Sequence, residues 1–296
     1  MTASIISFIN FKGGVGKTAL TVNLAISMAY HWGKKVLVVD LDPQSNASIQ
    51  LMKPEGWKAK ANNNPSATVY GLLMNQNPIA SCIVNLPLNR GKIRVSSIDL
   101  VPSCYELMDF EHQSISHLYP CPCYVFFWKQ IKICINLYDI ILIDCPPNLY
   151  RTSECAIFSS DYILVPCNPD ALSLVGLSLL AKKIYSFKQT NQEFHFNYRQ
   201  EDKEPEIAGI IINNLPTNQT IANLESDKEF SSKLQSLKRQ KLLSSNAELL
   251  PITIRQAAAF RTASFKYAPP LLAERQNKDL IQDYKNLANW ICQKYR

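Results

Sequence analysis

Ser4–Phe8, Val36–Asp40 and residues 139–144 are apolar without alternation, and residues 162–166 and 207–213 repeat the pattern. A strand apolar at nearly every position is buried on both faces, as in a parallel sheet covered by helices. Between the first two strands, Leu20, Val22, Leu24, Ala25, Met28 and Ala29 recur at helical spacing and predict a helix over residues 18–30. Strand, glycine-rich turn, helix and strand make a right-handed βαβ unit. Ile93–Val101 predicts another strand, residues 68–75 a short capped helix, and the Asn- and Pro-rich residues 53–66 an exposed loop. Residues 199–205 read as a charged turn, and 218–245 as loops around one amphipathic helix. Leu280, Ile281, Tyr284, Leu287, Ala288 and Ile291 predict a closing helix over 279–295. No repeat or linker interrupts the pattern. The expectation is one α/β domain over residues 1–296, built on a doubly wound, mainly parallel twisted sheet.

Composition narrows the classes. With 47% hydrophobic and 19% charged residues, the chain has material for a core and is not a disordered polyelectrolyte. No apolar run reaches the ~18–20 residues that span a bilayer, and the opening residues lack a basic leader followed by an apolar stretch. Nine cysteines, an odd number lying mostly inside apolar runs, point to reduced thiols and a cytoplasmic setting. The net charge of +7 permits weak binding to a polyanion without requiring it.

Candidate chemistry concentrates at strand ends. Lys12-Gly13-Gly14-Val15-Gly16-Lys17-Thr18 follows a strand and opens a helix, the context of a phosphate-binding loop. Glycines there let backbone N–H groups turn towards phosphate oxygens, Lys17 neutralises charge, and the Thr18 hydroxyl can join Mg²⁺. The second strand ends in Asp40-Leu41-Asp42-Pro43-Gln44, and the strand at 139–144 ends in Asp144-Cys145-Pro146-Pro147. Neighbouring parallel strand ends share one crevice, so carboxylates for metal-bound water and for attacking water would sit beside the loop. An accidental glycine turn would not come with all of these.

A second lysine, Lys12, precedes the glycines, where it cannot easily reach phosphates held by its own loop but could reach those of a facing partner. Here the chain resembles the ParA/MinD group of deviant Walker P-loop ATPases, and Asp-Leu-Asp-Pro-Gln is close to the ParA branch. The resemblance implies that Lys12 contacts nucleotide across a dimer, that Asp42 positions the hydrolytic water and that Asp40 supports Mg²⁺ without touching it. It makes Lys12, Lys17 and Asp42 the catalytic set, Thr18, Asp40 and Asp144 the metal set, and residues 12–19 the cradle for ATP. Asn213 would read adenine, and the segment carrying Pro251 and Thr253 would lie along the base. Ala19 departs from the family, which usually has a second Thr there; losing that hydrogen bond is worth about 0.5–1.5 kcal/mol.

Weaker features have ordinary readings. His112, His117, Cys121 and Cys123 fall close together, but Cys-Pro-Cys is not a zinc knuckle spacing, and packing is the better account. Cys104 and Cys145 lack the contexts of the iron–sulfur relatives. Lys278, Lys285, Lys294 and Arg296 flank the stripe of the closing helix, which could be a membrane anchor or could pack on the sheet; packing is preferred. Lys182, Lys183 and Lys188, then Lys238, Arg239 and Lys241, then Arg255, Arg261 and Lys266 form three basic groups. The family's nonspecific DNA binding needs some such patch. The resulting expectation is a ParA-type partition ATPase. It would form an ATP-dependent homodimer, bind DNA nonspecifically, answer to a ParB-like partner and stay nucleoid-associated in the cytoplasm. No stable membrane association and no N-terminal operator-reading domain are expected. A MinD-like membrane-cycling ATPase and a ParA-like positioner of another cargo are the alternatives.

Overall fold

The computed structural model describes residues 2–90, 93–113, 118–199, 205–216, 228–258, 269, 271 and 277–295. His117, Arg261, Lys266 and Arg296 lie outside them. The strands are β1 (Ser4–Phe8), β2 (Val36–Asp40), β3 (Val84–Arg90), β4 (Ile93–Val101), β5 (Ile140–Asp144), β6 (Tyr162–Cys167), β7 (Glu206–Ile212) and β8 (Glu248–Leu249). They form one sheet in the order β3-β4-β2-β5-β1-β6-β7-β8, parallel except for the antiparallel edge pair β3–β4. Helices are α1 (Lys17–Trp32), α2 (Asn46–Trp57), α3 (Val69–Leu73), α4 (Ile79–Cys82), α5 (Leu107–Phe110), α6 (Cys123–Lys132), α7 (Arg151–Ser159) and α8 (Ala171–Thr190). Lys228–Arg239 and Lys278–Lys294 follow.

Alternate side chains of the central strands enter two separate cores. Ile6, Phe8, Val36, Val38, Ile140 and Leu142 pack with α1 and the last helix, whereas Ile5, Leu37, Val39, Ile141 and Ile143 pack with α6, α7 and α8. Each fully buried Val, Leu or Ile contributes about 1.5–3 kcal/mol, so the apolar runs of the sequence are explained by two covered faces. The stripe Leu280, Tyr284, Leu287, Ala288 and Ile291 is buried in the α1 core, so packing is what the structure shows for the last helix. Among the described residues no helix is long and apolar enough to cross a membrane.

Two expectations change. Residues 53–66 are largely helical instead of a loop, although Ala61 alone among them is buried. Lys53 leaves the helical region with φ 62°, and Pro54 then starts a new helical turn, where its missing N–H costs nothing. A π-helical turn at Lys58–Asn62 continues it, with Ala61 buried and the Trp57 indole donating to the Ser103 carbonyl at 2.9 Å. Strand β3 was not expected at all. Pro87 falls where its register with β4 shifts between Leu86 and Leu88, and proline is tolerated at such an edge-strand irregularity.

Candidate functional site

The glycine loop leaves β1 at the middle of the sheet. Asn10 braces it by donating from Nδ2 to the Pro166 carbonyl (2.8 Å) and accepting the Lys12 N–H at Oδ1 (2.9 Å). Gly14 and Gly16 adopt left-handed φ values of 74° and 87°, which a side chain makes costly. Gly16 is also confined by space: a Cβ there would lie 2.0 Å from Asn213 Nδ2, which donates to the Val15 carbonyl at 2.8 Å. Helix α1 has no side-chain N-cap and no acidic residue in its first turn, so its orphan N–H groups are left for a ligand. Gly13, Gly14, Gly16 and the first-turn residues Lys17, Thr18 and Ala19 line an open cleft of about 460 Å³.

Lys17 is buried at 7% exposure, and its ammonium donates to the Lys12 carbonyl over a long 3.4 Å. Burial lowers its pKa, and Asp144, Cys145 and Asp42 offset only part of that shift. Asp40 and Asp144 are register partners across β2 and β5, which places the two carboxylates side by side. Asp144 accepts from the hydroxyls of Thr18 (2.7 Å) and Thr21 (3.5 Å). Asp40 accepts from the Ser48 N–H (2.9 Å), the Ser48 hydroxyl (2.7 Å) and the Asp42 N–H (3.1 Å). The Ser48 oxygen in turn accepts the Ser103 N–H at 2.9 Å. Asp42 lines the cleft and accepts the Gln44 N–H at 2.9 Å.

Burial raises all three carboxyl pKa values: Asp40 to about 7, Asp144 well above the usual range with Asp40 adding to it, and Asp42 upward. Folded Asp40 therefore keeps a proton that the unfolded chain, near 3.8, has released. Its stabilising contribution is complete below pH ~4 and is lost as pH rises through about 7, by up to about 1.4 kcal/mol per pH unit. Asp40→Asn is expected to flatten the fall in ligand-free thermal stability between those limits. An unchanged slope in that melting series would move the titration elsewhere.

Lys12 turns back on its own chain. Its ammonium lies 3.1 and 3.0 Å from the two Asp170 oxygens and 3.5 Å from the Ser173 hydroxyl. Asp170 also caps α8 by accepting the Ser173 N–H at 2.7 Å. Asn213 follows β7; its N–H donates to the Cys167 carbonyl (2.8 Å), while its Oδ1 is buried without a hydrogen-bond partner. The structure thus gathers the glycine loop, Lys17, Thr18, Ala19, Asp42 and Asn213 at one cleft, with Asp144 behind Thr18 and Asp40 behind Asp42. Val15 is buried beneath the loop. Pro251 and Thr253 run beside β7, where the Ile254 N–H donates to the Ile212 carbonyl, and do not line the cleft.

Of the basic groups, Lys182 and Lys183 are exposed on α8 with Lys188 half-buried, and Arg239 and Lys241 are exposed beyond a half-buried Lys238 that donates to the Ser245 carbonyl (3.1 Å). The helix Lys228–Arg239 packs against α8, so these two groups sit on neighbouring elements. Arg255 is engaged instead: its guanidinium grips Asp283 at 2.8 and 2.9 Å and reaches Asp279 at 3.3 Å. All nine cysteines are free thiols, and no cluster of three metal-ligating side chains occurs among the described residues. Asn10, Ser48 and Asp170 were not singled out from the sequence. A polar residue just past an apolar strand was a usable signal for Asn10; Ser48 and Asp170 carried none.

The AAA domain family matches residues 3–198. The virulence plasmid ParA family protein pGP5-D of Chlamydia muridarum is 27% identical over 79% of this chain and 80% of its own. The chromosome-partitioning ATPase Soj of Treponema pallidum is 32% identical, but over 60% of this chain and 62% of its own length. A plasmid partition protein of Borrelia burgdorferi, also solved bound to AMPPNP, shares the fold at a TM-score of 0.67 and 22% identity, covering 99% of both chains. By its family match and its relatives, this chain belongs to the ParA/Soj-type partition ATPases.

Proposed function

We propose that the chain is an ATP-driven partition switch. It binds ATP with Mg²⁺, closes on a second copy, holds DNA without sequence preference while the triphosphate is intact, and releases it on slow hydrolysis stimulated by a ParB-like partner. The observation that carries this reading is the Lys17 ammonium, buried with one long hydrogen bond at the mouth of a left-handed glycine turn. A buried cation that is this poorly partnered is costly unless an anion completes it. The orphaned Asn213 Oδ1 supplies an acceptor for an exocyclic amine such as adenine's. Thr18, Asp144 and Asp42 offer the hard oxygen donors a small divalent cation takes.

Each residue then has a task. The N–H groups at residues 13–19 and Lys17 hold the phosphates, and Ala19 contributes its backbone alone. Mg²⁺, when bound, would neutralise phosphate charge next to Thr18 and Asp144. Asp42, at the cleft surface with a raised pKa, orients the attacking water, and Asp40 fixes the Asp42 backbone through the 3.1 Å hydrogen bond. Lys12 reaches the partner's triphosphate, so assembly and hydrolysis are linked. Pro251 and Thr253 would approach the base from the segment beside β7. For DNA, the surface shared by α8 and Lys228–Arg239 is the better candidate, because the Arg255 charge is already met by two carboxylates.

DNA binding measured with ADP, ATP and AMPPNP across a salt series tests the reading. Retention is expected with ATP and AMPPNP only, with log affinity falling linearly in log salt whatever the DNA sequence. Equal binding in all nucleotide states would overturn it. ATP-dependent sedimentation with anionic liposomes, in the absence of DNA binding, would favour the membrane-cycling alternative.

A further inference from the structure

The geometry points to Asp170 as an internal competitor for Lys12, holding the lysine on its own chain until a second copy presents a triphosphate. This rests on the cross-subunit role of Lys12 proposed above. Lys12 is not waiting free in solvent: its ammonium sits astride both Asp170 oxygens and near the Ser173 hydroxyl. The pairing lowers the Asp170 pKa, so the carboxylate is charged throughout the physiological range.

The contact is built to release. The two side chains are 34% and 40% exposed, where water competes and an ion pair is weak, whereas a triphosphate enclosed between two copies offers more charge in a drier place. Asp170 does not collapse when Lys12 leaves, because the same carboxylate caps the 20-residue helix α8 through the Ser173 N–H. Residue 170 therefore sets how much assembly must gain before Lys12 changes partner, and each dimer breaks two such contacts. Asp170 is a positioning residue: it acts on nucleotide through Lys12.

Asp170→Asn separates the two duties, since asparagine caps a helix as well as aspartate but gives Lys12 no counter-charge. Asp170→Ser does the same with a smaller side chain. Sedimentation velocity with Mg²⁺ and AMPPNP should show half-dimerisation of either variant at about tenfold lower protein concentration than wild type, or ~1.4 kcal/mol over two ion pairs. The ligand-free melting temperature of Asp170→Asn should fall by no more than about 3 °C, and adding Lys12→Ala should remove the gain. An unchanged or higher dimerisation threshold in both variants, with Lys12→Ala still defective, would overturn the competitor role alone. Dimerisation of Lys12→Ala at the wild-type threshold would overturn the cross-subunit role and this inference with it.

Discussion

Lys17→Ala is expected to weaken ATP binding by about 100- to 1,000-fold, the loss of roughly 3–4 kcal/mol that removing one partner of a desolvated charged contact brings. The size follows from the surroundings of the side chain. Lys17 is buried and makes a 3.4 Å hydrogen bond to the Lys12 carbonyl, so little of its charge is spent inside the protein. It also faces Asp42 and Asp144, so removing it leaves those buried carboxyl groups without their neighbouring cation. The fold should survive, because the loop is shaped by Gly14, Gly16, Asn10 and Asn213 and not by Lys17. Titration calorimetry with ATP reads the effect; an affinity within about threefold of wild type would remove Lys17 from the phosphate site.

Lys12→Ala should behave in the opposite way. ATP affinity of the separate chain should change by less than about fivefold, while the nucleotide-dependent dimer is lost. The reason is where Lys12 points. Its ammonium is tied to Asp170 at the start of α8, and it does not line the cleft that Lys17 enters. A side chain in that place contributes little to a phosphate held by its own loop and much to one brought by a neighbour. Nucleotide titration and particle mass, taken on the same preparation, separate the two lysines. Joint loss of binding and dimerisation in Lys12→Ala would assign it to its own nucleotide instead.

What was legible in the sequence is what local pattern dictates. β1, β2 and β5 were bounded to within a residue because burial on both faces leaves no other arrangement of side chains, and Asp40, Asp42 and Asp144 came with their strand ends. Strand β3 keeps its alternation at Val84, Leu86 and Leu88, but a proline in the middle of a run argues against a strand. The helical turns after Lys53 have no sequence signal because Pro and Asn are turn formers; what fixes them is tertiary, the burial of Ala61 and the Trp57 indole on the Ser103 carbonyl. Lys12 and Asp170 stand 158 residues apart, and the chain Asp40–Ser48–Ser103 joins β2, α2 and the loop after β4, so no periodicity or spacing rule could pair them. The same holds for Gly16 against Asn213: the glycine announced a turn, but only the fold shows what would collide with a side chain there.

Every step proposed for this chain depends on an unhydrolysed triphosphate joining two copies of it. Multi-angle light scattering on the wild-type protein saturated with AMPPNP and Mg²⁺ reads that joining as mass. The expected particle has twice the 33.5 kDa chain mass and reverts to the single mass with ADP. A particle that stays at 33.5 kDa with the nucleotide bound would contradict it.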